Sequence, residues 1–250
     1  HIPLRVLGSG ANLLVREGTV PGVVVRLDDP AWSKMEVEGT TVRVGAGYDL
    51  TRLVTETAKL GLDGLAQVAG IPASVGGAVR MNAGGTYGDV GQVVKRVQVM
   101  SATGQVYYRD RDDLDFTYRS SNIDAPFILE VEFELQEDDP KELMKRVKEI
   151  YFFKTNSQPY SDRTAGCCFK NPDDDDPMAG GRPAGMLIDQ AGLKGHTLGT
   201  ASVSDVHANF IVADKQDAKA EDVYKLIEHV QDVVLQKFGV ALEREVVVWP

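Results

Sequence analysis

Two glycine-dense stretches constrain this chain most. Gly8-Ser9-Gly10-Ala11-Asn12-Leu13 lies between the strand-like runs Val6-Leu7 and Leu13-Leu14-Val15. The second, Gly70-Ile71-Pro72-Ala73-Ser74-Val75-Gly76-Gly77, continues through Met81-Asn82-Ala83-Gly84-Gly85. Residues this small fill little of a core, but they let backbone amides come close to a ligand or to another chain segment. The first stretch lacks the third Gly and the following helix of the Rossmann fingerprint, which argues against a Rossmann dinucleotide fold. Exposed amides, the Ser74 hydroxyl and an Asn82 amide that both donates and accepts suit a diphosphate bridge and a flat ring lying on backbone. Taken singly, each stretch is also compatible with a tight turn or a packing corner.

Around these stretches the pattern is mixed. Short β-branched runs (Val6-Leu7, Leu13 to Val15, Val23 to Val25, Val42 to Val44) predict small strands. The spacing of 50, 53, 54, 57 and 58, all apolar but Thr57, followed by Gly61, predicts a helix over 50–60. A hairpin is expected from 93–100 and 104–108, turning at Thr103-Gly104, and a strand over 127–135. After a polar break at 137–140, Leu143, Val147 and Ile150 mark a helix running to about Phe153. An irregular segment over 156–182 follows, of a length usually found in functional or disordered loops. Beyond it a short helix (184–191), a strand (208–212), an amphipathic helix (220–238) and a terminal strand (240–249) are expected. The layout is α+β, with a domain boundary between 138 and 139.

Charge and composition exclude several classes. The 250 residues carry 27 Lys plus Arg against 37 Asp plus Glu, a formal net charge of −10. That is the wrong sign for an electrostatic nucleic-acid binder. No apolar run approaches the roughly 18 residues of a membrane span, and no signal segment opens the chain, so the expected compartment is the cytoplasm. The two cysteines, Cys167 and Cys168, are adjacent, which suits a reducing environment better than a disulfide staple. The chain begins His1-Ile2-Pro3 without Met, directly before a strand-like run, so further natural sequence is expected ahead of it.

Several side chains are candidates for chemistry. Arg119, in Tyr118-Arg119-Ser120-Ser121, fits either a surface cation or a bidentate clamp on a carboxylate. Glu243 and Glu245 share one face of the terminal strand by pleat parity, so either both are solvated or one faces a site. The run Gly166-Cys167-Cys168-Phe169-Lys170-Asn171 combines a proton donor, a cation and an amide. A thiol with a pKa of about 8.5 is mostly protonated at neutral pH and can act as a general acid. A buried hydrophobe, or a nucleophile with His196 or His207 as base, are the other readings of a cysteine there. His1, His196, His207 and His229 have no metal-ligand spacing, and Asp173 to Asp176 reads as a solvated loop, so no metal is expected.

In order along the chain, these blocks resemble the UDP-N-acetylenolpyruvoylglucosamine reductase (MurB) family of peptidoglycan precursor synthesis. The resemblance is carried by Val6 to Leu14, Gly70 to Gly77 with Met81 to Gly84, Tyr118 to Ser121, Gly166 to Pro172, Ala191 to Gly195, Ser204 to Val212, and Phe238 to Val246. It implies an FAD-binding part of the vanillyl-alcohol-oxidase (PCMH) type over 1–138, to which 239–250 return, and an α+β substrate-binding domain over 139–238. The length resembles the type II branch, which lacks an inserted segment. Relatives begin with a further strand and helix ahead of the position of His1.

The implied activity is FAD-dependent reduction of UDP-N-acetylglucosamine enolpyruvate to UDP-N-acetylmuramate, with NADPH as reductant. NADPH reduces the flavin and leaves; hydride then passes from flavin N5 to the vinyl carbon, and an acid protonates the adjacent carbon. By the same resemblance Gly8, Ser9, Gly10, Ala11, Asn12, Leu13, Gly70, Ile71, Pro72, Ser74, Val75, Gly76, Gly77 and Asn82 bind FAD. Tyr118, Lys154, Lys170 and Asn171 bind substrate, and Arg119 and Glu245 hold the carboxylate and stabilise the enolate. The family's usual donor is a Ser where this chain has Cys167, so Cys167 is expected to be the acid, with Cys168 the alternative if the match is off by one. A monomer with no nucleic-acid or membrane partner is expected. A flavin oxidase of the same superfamily would share the glycine stretches but leave Arg119, Cys167 and Glu245 unexplained; a nucleotide-sugar binding protein or a thiol hydrolase would be colourless.

Overall fold

The computed structural model describes residues 2–214 and 216–250; His1 lies outside the described residues. The chain forms two compact units, one comprising residues through Ser9 with Gly22–Phe153, the other Gly10–Pro21 with Lys154–Pro250.

The first unit is built on a five-stranded antiparallel sheet in the order Val106–Asp110, Val94–Met100, Phe127–Glu134, Thr41–Gly45, Met35–Glu38. Helix α1 (Leu50–Lys59) starts where the Asp49 side chain accepts the Arg52 N–H at 2.7 Å. It buries Leu50, Leu53, Val54, Thr57 and Ala58, the predicted face, in the core with Val42, Val44, Val97, Val131 and Phe133. A second helix, α2 (Val75–Arg80), lies inside the second glycine-dense stretch, where glycine propensity hid it from sequence reading. Helix α3 (Pro140–Ser157) has Asp139 as its cap, accepting the N–H groups of Lys141 (2.7 Å) and Glu142 (3.2 Å), with Pro at the first helical position. A parallel pair, Leu4–Leu7 with Val23–Arg26, completes this unit.

The second unit has a three-stranded antiparallel sheet, Thr197–Leu198, Ala201–Val203 and Ile211–Ala213. Helices α4 (Ala184–Gln190) and α5 (Ala220–Phe238) bury Leu187, Ile188, Leu226, Ile227, Val230 and Val234 with Cys168 and Phe169. Gly239, at φ 72°, ends α5 in the left-handed conformation that glycine adopts most easily. Leu13–Val15 pairs in parallel with Val247–Trp249. The expected terminal strand over 240–249 is therefore only its last three residues, and the expected 208–212 strand begins at Ile211.

The units depart from the division at 138/139. The apolar face of α3 (Leu143, Val147, Ile150) belongs to the first core, so the division falls after Phe153. The terminal segment pairs with Leu13–Val15 of the 1–138 stretch, and contacts group both with the second unit, where Val240, Leu242 and Val246 are buried in the core.

Candidate active site

In the first unit the two glycine-dense stretches meet. A Cβ on Gly8 would collide with Ser74 Oγ, so any side chain here must displace that hydroxyl. Gly8, Ser9, Pro72 and Gly77 are exposed around this contact. Residues 73–76 run beside 46–50: the Gly76 N–H donates to Ala46 O (2.8 Å), the Val75 N–H to Tyr48 O (2.9 Å), and the Leu50 N–H to Ala73 O (3.0 Å). Gly70 and Ile71 precede this segment. The Ser74 hydroxyl caps α2, accepting the Gly77 N–H at 3.4 Å. The result is an exposed corner of small residues at Gly8, Ser9 and Gly77 beside the Ser74 hydroxyl. The Val75 and Gly76 amides are already bonded within the protein, and the room left there fits the diphosphate of a flavin nucleotide.

Asn82 does not present a free amide edge, contrary to expectation. It is 3 % exposed; its Oδ1 accepts the Gly91 N–H (3.0 Å) and its Nδ2 donates to Thr117 O (2.9 Å). Thr117 enters the hairpin Phe116–Thr117 and Ser120–Ser121, with Tyr118 and Arg119 at its turn. Arg119 has φ 56°, a left-handed conformation uncommon for a side chain of this size, and such strain clusters at functional sites. Its guanidinium lies 5.0 Å from the centre of the half-exposed Tyr118 ring. Ser121 Oγ donates to Arg80 O (2.8 Å), and the Arg80 guanidinium, its pKa lowered by burial, donates to Ile123 O and Ala125 O at 2.6 Å each.

In the second unit the Cys167 segment and the terminal segment run side by side. The Glu245 N–H donates to Cys168 O (2.8 Å) and the Lys170 N–H to Glu243 O (2.9 Å), with Phe169 opposite Arg244. Cys167 is partly exposed. Cys168 is 4 % exposed, and burial pushes its thiol up to about 12, with the Glu245 charge acting in the same direction. That environment suits the buried-hydrophobe reading for Cys168. Asn12 Nδ2 donates to Glu245 O (3.1 Å), so Asn12 braces the terminal segment, and Ala11 lies near Gly166 in the same unit. Gly10 to Leu13 thus fall in the second unit, Gly8 and Ser9 in the first.

Of the substrate candidates, Lys170 Nζ pairs with Glu243 Oε1 at 2.6 Å. Asn171 Oδ1 accepts the Ala184 N–H (3.1 Å) at the start of α4. Lys154, on α3, is buried. Of the histidines, His196 stacks on His229 with centroids 4.8 Å apart, and His207 Nδ1 accepts the Asn209 N–H (3.2 Å). Burial lowers the His207 pKa. Among the described residues no cluster of three or more His, Cys, Asp or Glu is placed to hold a metal. The acidic run ends in a turn, where Asp176 Oδ1 accepts the N–H groups of Met178 (2.8 Å) and Ala179 (3.2 Å). Sequence reasoning missed the buried Asn209, because a buried amide looks the same in sequence as an exposed one.

Both ends of the chain resemble known proteins. Residues 158–249 match the UDP-N-acetylenolpyruvoylglucosamine reductase C-terminal domain, and residues 1–108 match an FAD-binding domain. Proteins named UDP-N-acetylenolpyruvoylglucosamine reductase are similar over nearly the whole chain. That of Anoxybacillus flavithermus is 36% identical over 98% of this chain and 80% of its own length. That of Clostridium botulinum is 38% identical over 98% and 78%. The crystal structure of the Thermus caldophilus enzyme superimposes with a TM-score of 0.85 at 39% identity, covering 100% of this chain and 86% of that one. An α+β fold with an FAD-binding domain, resemblance over both units and relatives covered for most of their length lead to one conclusion: the chain belongs to the UDP-N-acetylenolpyruvoylglucosamine reductase family.

Proposed function

We propose that the chain reduces UDP-N-acetylglucosamine enolpyruvate to UDP-N-acetylmuramate at the expense of NADPH, with FAD as its cofactor and Cys167 as the proton donor. The observation that carries the residue assignment is the pairing of the Cys167 segment with the terminal segment in the second unit, the Glu245 N–H on Cys168 O at 2.8 Å. It supports a site that joins an acid to a carboxylate. The exposed backbone at Gly8, Ser9, Pro72 and Gly77, with Gly70, Ile71, Ser74, Val75 and Gly76, would hold FAD, and Gly10 to Leu13 continue that stretch. Bound there, FAD would supply the two-electron chemistry that links NADPH to the enolpyruvyl group.

The chain's own residues do the rest. Adding hydride to the terminal vinyl carbon turns the substrate into an enolate, whose charge spreads over its carboxylate. Arg119 offers that carboxylate a planar pair of donors, and Tyr118, Lys154, Lys170 and Asn171 serve substrate binding. Glu245 serves the enolate only as a neutral carboxyl, which can donate a hydrogen bond to its oxygen. The Cys167 thiol gives its proton to the carbon beside the carboxylate, and the thiolate regains one from solvent. Cys168 is the poorer donor, because a thiol pushed up to about 12 in a core is slow to release its proton. Among the described residues no helix is long and apolar enough to cross a membrane. A monomer in the cytoplasm completes the proposal.

The test is one anaerobic cuvette. The purified protein should be yellow, bleach on NADPH, and recolour when the enolpyruvyl sugar nucleotide is added. A protein that stays colourless with added FAD sinks the flavin reading. One that recolours with oxygen but not with the enolpyruvyl substrate favours an oxidase.

A further inference from the structure

We infer that Asn209 is a positioning residue for Cys167, its buried amide setting the register of the segment that carries the thiol. Asn209 is 4 % exposed. Its Oδ1 accepts the Phe169 N–H (3.0 Å) and its Nδ2 donates to Phe169 O (2.8 Å), so one side chain replaces a whole strand partner. Its own carbonyl accepts the Cys168 N–H (2.8 Å), and Cys167 bridges Phe210. Its backbone N–H is held by His207 Nδ1 (3.2 Å). The opposite edge of the segment is taken by the Glu245 N–H on Cys168 O.

The consequence is a register that cannot slip. Sliding the segment by one residue would strand the carboxamide and the Phe169 amide groups without partners, and an unpartnered buried polar group is costly. The hydrophobic core alone would not prevent this, because Cys168 and Phe169 are both apolar and both buried in it. A general acid has to stand within hydrogen-bond reach of the carbon it protonates, and a displacement of about 1 Å can lower a rate about a hundredfold. Asn209 touches no reacting atom in this assignment; it acts through the Phe169 backbone.

The inference rests on Cys167 being the donor, so the experiment separates the two ideas. In FAD-loaded protein, Asn209→Ala is expected to slow flavin reoxidation by the enolpyruvyl substrate by about tenfold or more while flavin reduction by NADPH stays within about twofold. The pH profile of Cys167 alkylation by iodoacetamide, located by peptide mass spectrometry, is expected to shift. Asn209→Asp should recover reoxidation as the pH falls, because the neutral carboxyl again offers one acceptor and one donor to Phe169.

Reoxidation at the parent rate in Asn209→Ala overturns the inference. So does a parallel loss of both half-reactions that tracks lost flavin or a lowered Tm, since that marks a merely structural role. If Cys167→Ala itself reoxidises normally, the donor assignment fails and alkylation alone decides positioning: a shifted profile upholds it and an unshifted one overturns it. If Asn209→Ala does not fold, acid recovery of Asn209→Asp upholds the inference and its absence overturns it.

Discussion

At the scale of single residues, Arg119 and Cys167 carry opposite lessons. Arg119 keeps a left-handed φ of 56° at the tip of a two-residue turn, a conformation that costs a non-glycine residue about 1 kcal/mol or more. Arg119→Gly should therefore raise Tm by a degree or more while flavin reoxidation by substrate collapses. A lowered Tm with activity intact would refute the assignment of that strain to function. Cys167→Ala should abolish turnover but leave flavin reduction by NADPH, because the acid serves only the second half-reaction. Cys167→Ser should keep activity, since the hydroxyl is the family's usual donor. A dead Cys167→Ser together with a dead Cys168→Ala would mean that the donor had been assigned one residue too early. The position of Cys167 was legible from sequence, whereas the difference between the two thiols depends on burial.

At the scale of elements, long amphipathic segments declared themselves and small ones did not. Helix α5 occupies the expected 220–238, and α1 ends one residue before its expected limit, because both repeat apolar residues at helical spacing over several turns. Helix α2 could not be read in Val75-Gly76-Gly77-Ala78-Val79-Arg80, where the glycines oppose helix and Ser74 supplies the cap from within a loop-like run. The contact between Gly8 and Ser74 spans the two stretches and was likewise invisible. Gly8→Ala should weaken FAD retention by at least about tenfold, read as flavin fluorescence in a filtrate, since the new methyl must displace Ser74 Oγ. Retention equal to the parent would show that the diphosphate lies elsewhere.

At the scale of the whole molecule, acid sensitivity and domain division follow from packing. The outer face of the large sheet carries Lys95, Arg96, Arg43, Glu132 and Glu134 in a connected ion-pair set. The Lys95 ammonium, then Thr40 and Thr41, hold the Glu134 carboxyl down to about 2 from its usual 4.5. A depressed carboxyl stabilises the fold above its unfolded value, and this contribution fades as pH falls from about 4.5 towards 2. Glu134→Gln should therefore flatten the Tm profile between those limits and leave its neutral-pH slope unchanged; an unaltered acid limb would refute the pairing. Because Glu134 is nearly half exposed, solvent screens the pair and its effect is small.

The order of the motifs, the negative charge, the main helices and strands, and the proposal of Arg119, Cys167 and Glu245 as site residues came from the amino-acid sequence alone. Each depends on residue type and local spacing, which survive in one dimension. Tertiary structure decided the rest. It engaged the Asn82 amide with Gly91 and Thr117, sent the terminal segment to the second core, buried Cys168, and placed Asn209 across Phe169. These outcomes depend on which distant segment lies alongside, and that is settled when buried polar groups find partners and apolar faces find a core.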